Sequence, residues 1–295
     1  MLTILLGVLV EGFVYAIMAL GVYITYKILD FPDLSVDGTF PLGGAVTAVL
    51  IIAGVNPLLT LLIAFVVGGM AGVITGIIHV KFKVRDLLSG IIVMTALYSI
   101  NLRIAGKANL PIFTKETIFE NSFLEGIIPD GLKPFLDVII LLIIVIIMKL
   151  VLDLYLKTKS GYLLRSVGDN ETLVTSLAKD KGTVKIVGLA IANAFVALAG
   201  CIYTQKSGFF EISMGTGTIV IGLASVIIGT NLFRHGSFIK ATTAVIIGSV
   251  IYKACVSIAI SLGLAASDLR LITSVLFLAI LIIGQERKRK VKVNA

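Results

Sequence analysis

Pro134–Leu156 reads PFLDVIILLIIVIIMKLVLDLYL, with every residue from Val138 to Met148 apolar. A helix needs about 20 mostly apolar residues to cross roughly 30 Å of hydrocarbon, and this stretch supplies them. Backbone polar groups in lipid must be satisfied within the segment, so the stretch reads as a membrane-spanning helix. Outward from it, comparable runs lie towards the N-terminus at about 87–105, 58–80, 39–54 and 2–26. Towards the C-terminus they lie at about 184–206, 216–233, 238–262 and 268–284. The expectation is an all-α polytopic membrane protein, one transmembrane domain over 1–295, with about nine spans in a range of eight to ten.

Composition agrees: 58% of the 295 residues are hydrophobic and 14% charged, against about 25% charged in a soluble domain. Soluble, disordered, collagenous and nucleic-acid-binding classes are excluded. The net charge of +8 comes from Lys and Arg in the connections between apolar runs. Placing the basic tail Glu286-Arg287-Lys288-Arg289-Lys290, within 285–295, in the cytoplasm puts the N-terminus outside and leaves 17 basic residues on inner connections against six on outer ones. The apolar start from Met1, without a basic leader region and carrying Glu11, reads as the first span rather than a cleaved signal. Cys201 and Cys255 fall inside apolar runs, as packing residues. There is no phosphate-binding loop, no paired Cys motif and no His-Glu-x-x-His, and His79 and His235 stand far apart, so the sequence assigns no catalytic residue, metal or cofactor to this chain.

The chain also repeats itself. At a shift of 178, the window Val14–Ala48 meets its later copy with seven identities in 35 positions, and Asp33-Leu34-Ser35-Val36 falls on Glu211-Ile212-Ser213-Met214. Under the orientation above the two copies are antiparallel, as an inverted repeat requires: repeat 1 over about 2–105, repeat 2 over about 184–284, and the fifth span with its loop, about 134–182, between them. In each copy the first span leads through an acidic, hydroxyl-bearing turn into a short Gly-interrupted span, Thr39-Phe40-Pro41-Leu42-Gly43-Gly44 in one and Thr216-Gly217-Thr218 with Gly222 and Gly229 in the other. Pro and Gly weaken helix, so non-helical backbone is expected there, and such matched interruptions point to a translocation path. The candidate path residues are Asp33, Ser35, Asp37 and Thr39 from the first copy and Glu211, Ser213, Thr216 and Thr218 from the second. The alternative is that the carboxylates merely cap helix starts at the membrane surface.

Thr95, Tyr98 and Asn101 in the fourth span share a helical face and either line a path or bond neighbouring helices. Lys253, deep in the eighth span, must snorkel, pair or face water. Gly68, Gly72 and Gly76 are spaced for close helix packing.

The longest inner connection, Lys157 to Gly182, is organised. Asp169 or Asn170 is placed to cap a short helix opening with Glu171, along which Leu173, Val174, Leu177 and Ala178 recur at amphipathic spacing. Such a helix either docks a cytoplasmic partner or lies on the headgroups. From Gly161 to Gly200, the residues Gly161, Leu164, Arg165, Gly168, Asn170, Leu177, Ala178, Lys185, Gly188, Leu198, Ala199 and Gly200 resemble the coupling loop and following span of ABC-importer permeases of the branched-chain amino acid and ribose type. Asp33-Leu34-Ser35-Val36 with Gly38 and Gly43-Gly44-Ala45 is similar to the Asp-Leu-Ser-Val-Gly segment of the ribose-type members. Within that family the likeness is greatest to permeases working with tryptophan- or tyrosine-type binding proteins.

The resemblance implies a homodimeric permease in a bacterial cytoplasmic membrane, supplied by an extracytoplasmic substrate-binding protein and driven by a cytoplasmic ABC ATPase dimer that carries the ATP and Mg. Gly168, Asp169, Asn170, Glu171, Leu173, Val174, Leu177 and Ala178 would meet the ATPase, and the solute would be a small polar one, an amino acid. Two departures stand out: Ala178-Lys179-Asp180-Lys181 replaces the family's Ala-x-x-Leu-Gly-Ile, and Asp37 stands where ribose-type members have Gly. From the residues alone an ion-coupled secondary transporter, with Asp33, Glu211 or Lys253 as coupling groups, stays open.

Overall fold

The computed structural model describes residues 2–121, 131–169, 180–233 and 239–262, with scattered positions between 271 and 282. Its helices are α1 (Leu2–Val22), continued as a π-helix over Tyr23–Ile28, α2 (Val36–Ile52), α3 (Pro57–Val80), α4 (Asp86–Ala105), α5 (Leu136–Tyr155), α6 (Lys159–Asp169), α7 (Lys181–Ser207), α8 (Thr218–Leu232) and α9 (Ala241–Ser261). Seven helical segments among the described residues are long and apolar enough to cross a membrane, and α2 is a shorter apolar helix. Eight of the expected spans therefore have helices at their positions; most of the ninth, 268–284, lies outside the described residues.

The helix α7 is the axis of the bundle, packed by α1, α2 and α3 and the most buried of the spans. It runs antiparallel to α1, since Tyr15 meets Tyr203 while Gly21 abuts the Ala192 carbonyl and Leu29 meets Gly188. The α3 contact follows from the glycine spacing: a Cβ at Gly72 would stand 2.2 Å from the Leu189 carbonyl oxygen, and Gly68 and Gly76 meet α7 in the same way. Small residues here let two backbones touch.

At one end of the bundle a two-stranded antiparallel ribbon pairs β1 (Asn109–Pro111), after α4, with β2 (Phe209–Glu211), after α7. Nothing in the sequence pattern announces it, since three residues per strand leave no alternation to read. The ribbon closes over Ala45, Ala48 and Ile51 of α2 through Leu110, Ile112 and Phe210.

One expectation is corrected. Thr39-Phe40-Pro41-Leu42-Gly43-Gly44 is continuous helix, and α2 begins at Val36. The non-helical backbone lies earlier, at Leu29–Ser35, and in the second copy at Gly208–Gly217, where single turns of strand and 3-10 helix precede α8. Helix resumes after Ser35, whose backbone N–H the Asp33 side chain accepts at 2.9 Å, and Pro41 comes after the first turn without breaking it.

At the end opposite the ribbon, α6 folds back on the bundle with Leu164 and Val167 buried in the main core. Asp153 on α5 there accepts hydrogen bonds from Lys149, Lys240 and Thr242.

Candidate functional site

The helix α2 does not begin at the bundle surface. Its start is fixed by Asn193, midway along α7, whose Nδ2 donates to Asp33 Oδ2 at 2.8 Å and whose Oδ1 accepts from Ser35 Oγ at 3.2 Å. All three side chains are buried, and the second Nδ2 hydrogen bond of Asn193 goes to the Leu189 carbonyl while Asp33 Oδ1 takes the Ser35 N–H. A carboxylate in such a place is tolerable only because the Asn193 side-chain amide and the Ser35 backbone N–H replace its water.

Four residues on, Asp37 leaves its own helix. Its Oδ2 accepts Gly217 N–H at 2.9 Å, and its Oδ1 accepts Ile219 N–H at 2.8 Å and the Thr218 hydroxyl at 2.9 Å. The first N–H groups of any helix lack partners within it, and the N-cap of α8 is Gly217, which has no side chain to supply one. Asp37 provides that cap from a segment 180 residues away, placing a negative charge at the positive end of α8. The N-termini of two short helices thus meet inside the bundle, joined by one carboxylate.

Beside this junction lies a cavity of about 420 Å³ lined by Asp37, Thr95, Tyr98, Asn101, Ser213 and Thr216, among others. Tyr98 is 54% exposed, and Thr95 and Thr216 are exposed as well, so hydroxyls stand on the outer surface of an otherwise apolar bundle. The buried Asn101 donates through Nδ2 to the Gly38 carbonyl at 3.0 Å, which fixes the amide orientation and leaves Oδ1 without a hydrogen-bond partner.

Of the candidate path residues, Asp37, Thr95, Tyr98, Ser213 and Thr216 line this one cavity. The others stand elsewhere. Asp33 and Ser35 belong to the Asn193 network, Thr39 is buried with its hydroxyl on the Ser35 carbonyl, and Thr218 is buried beneath Asp37. Glu211 is exposed at the end of β2, accepting from Ser213 Oγ. Of the three carboxylates, Asp37 caps a helix start, inside the bundle and on a helix other than its own; Asp33 holds the N–H of the N-cap residue Ser35, and Glu211 makes no cap hydrogen bond. Asn193 is the residue that sequence reasoning passed over, although a lone amide midway along a 27-residue apolar span is itself a signal.

Of the proposed coupling residues, Gly168 and Asp169 close α6, so helix precedes Asp169. Gly168 abuts the end of the π-helix so closely that a Cβ would fall 1.7 Å from the Ile28 carbonyl oxygen. Asn170, Glu171, Leu173, Val174, Leu177 and Ala178 lie outside the described residues. Beyond them Asp180 caps α7 from its own N-cap position, accepting from Gly182 N–H, Thr183 N–H and the Thr183 hydroxyl. The Thr183 hydroxyl and then the two N–H groups hold its carboxyl below the usual range.

Residues 4–284 match the family described as branched-chain amino acid transport system / permease component. The chain is 45% identical over 291 residues to a tyrosine transport system permease protein of Clostridioides difficile, covering 99% of this chain and 95% of that one. It is 25% identical over 232 residues to the ribose import permease protein of Escherichia coli, covering 79% and 70%. To a probable branched-chain amino acid transport permease protein of Methanocaldococcus jannaschii it is 26% identical over 226 residues, covering 74% and 70%. No solved structure matches the chain significantly.

Proposed function

From the premise that the chain belongs to the family of permease components of branched-chain amino acid transport systems, we propose how it carries its solute. It is a multi-pass protein of the bacterial inner membrane and a transport subunit. In our reading nine spans place the N-terminus outside and the C-terminus in the cytoplasm, and two inverted repeats flank α5 and the loop after it. Support comes from the shared plan of the copies. A 27-residue helical run, Leu2–Ile28 in one and Lys181–Ser207 in the other, leads through irregular backbone into a shorter helix.

Two copies of the chain would enclose the path along their interface. The observation that carries this is the 420 Å³ cavity, where hydroxyls and a carboxylate gather beside two meeting helix N-termini and open onto the bundle's outer surface. Polar groups at such a junction mark solute paths in membrane proteins. A binding protein would deliver the solute, an amino acid that the 45% identical relative's name suggests is aromatic. An ATPase dimer carrying ATP and Mg would dock on the stretch from Gly168 to Lys181, rocking the two repeats against each other.

The test is uptake of labelled tyrosine into proteoliposomes holding the full assembly. ATP-dependent accumulation that Thr95→Trp or Thr216→Trp abolishes, with the complex still co-purifying, is the expected result. Leu177→Asp should detach the ATPase while the permease stays folded. Accumulation driven by a sodium or proton gradient through the permease alone would instead establish an ion-coupled transporter.

A further inference from the structure

A second cavity, of about 310 Å³, lies on the other side of Thr216, lined by Tyr15, Thr216, Gly217, Tyr252 and Lys253 among others. Both cavities fall in the ~300–1,000 Å³ range of small-molecule sites, and Thr216 lines both. Their polar characters are opposite. The first presents acceptors, the Asp37 carboxylate and Asn101, whose Oδ1 is unpartnered. The second presents the Lys253 ammonium with the Tyr252 and Thr273 hydroxyls, and among the described residues no carboxylate lines it.

The ammonium is paired at its outer side. Lys253 Nζ sits 3.9 Å from the centroid of the Tyr15 ring and 3.0 Å from Glu11 Oε2, the Lys253 side chain 11% exposed and that of Glu11 58%. The ring face and burial fix the lysine, whereas the glutamate approaches from the side that the single chain leaves open, where another carboxylate can take its place only by keeping the ammonium paired. A lysine so placed has a fixed position and an exchangeable counter-ion.

We propose that Lys253 receives the carboxylate of the transported amino acid, which displaces Glu11, while the solute's ammonium lies across Thr216 towards Asp37 and Asn101. The inference rests on the reading of this region as a solute path and adds a site for an α-amino acid zwitterion within it.

The chain contains no Trp, so emission from bound tryptophan reports directly on the purified detergent-solubilised permease. The probes are L-tryptophan, tryptamine, which lacks the carboxylate, and indole-3-propionate, which lacks the ammonium. Lys253→Met should weaken tryptophan and indole-3-propionate at least tenfold and leave tryptamine within twofold, and Lys253→Arg should recover much of the loss. The double variant Glu11→Gln/Lys253→Met, which removes both charges of the pair and guards against misfolding of the single one, should stay as weak as Lys253→Met. Recovery of tryptophan binding in the double variant, equal losses for tryptamine, or no tryptophan binding by the unaltered chain would overturn the proposal. Intact tryptophan binding without ATP-driven uptake would sink the importer reading and leave this site standing.

Discussion

Asp180 and Asp37 both cap helices, and they do it from opposite distances. Asp180 caps α7 from the residue before it, exposed, with its acceptors filled by Gly182 and Thr183. Asp37 caps α8 from α2, across 180 residues of chain and inside the bundle. A local cap travels with its helix, so it stabilises that helix whatever the helix does. A cap reaching from another segment holds only while the two segments stay together. Asp37 is therefore a latch between the two short helices as well as a cap, and it stands on the wall of the cavity where they meet.

The comparison can be broken most severely one turn earlier. Asp33→Ala leaves the Asn193 amide and the Ser35 backbone N–H buried without their acceptor, which should cost about 2–5 kcal/mol and show as loss of the purified complex or a large drop in apparent Tm. Asp37→Ala removes only the cap and latch. We expect about 1–2 kcal/mol of destabilisation, a folded permease, and uptake lowered more than the Tm would suggest. Asn101→Leu should be milder still, within about 1.5 kcal/mol, because the amide already leaves one buried acceptor unpaired; uptake measured against the thermal midpoint separates the two effects.

Asp180→Ala should have the smallest effect, a shift of less than about 2 °C, since a surface cap loses little when water replaces it. Its pH dependence has a definite sign. The folded carboxyl titrates below its unfolded value, so its contribution is fully present above the usual carboxylate range and is lost as pH falls through the depressed value. A thermal-midpoint difference between the unaltered chain and Asp180→Ala should therefore vanish in acid and plateau towards neutrality.

The membrane class was legible in the apolar runs, because the length needed to cross lipid is a physical constant that Pro134–Leu156 meets without interruption. The start of α2 was misplaced by three residues, since what restarts the helix is the Asp33 carboxylate on the Ser35 N–H rather than any helix-breaking residue at Pro41. Within the candidate site, spacing brought Thr95 and Tyr98 to one face, as helical geometry dictates. It could not separate Thr39, which turns its hydroxyl back to the Ser35 carbonyl, from Thr216, which faces the cavity. Asp37 was visible as an acidic group near a helix start, but its partner Gly217 was not, because nothing local links positions so far apart. The β1–β2 ribbon went unread both for that reason and because its three-residue strands carry no alternation.

The glycine face of α3 carries one more implication. Where Gly68, Gly72 and Gly76 bring the main chain of α3 onto the main chain and Cβ atoms of α7, little side-chain freedom remains to adjust to sliding. These two helices should behave as a single girder through the transport cycle, so spin labels placed one on each would report a constant separation while pairs spanning the Asp37 junction change theirs.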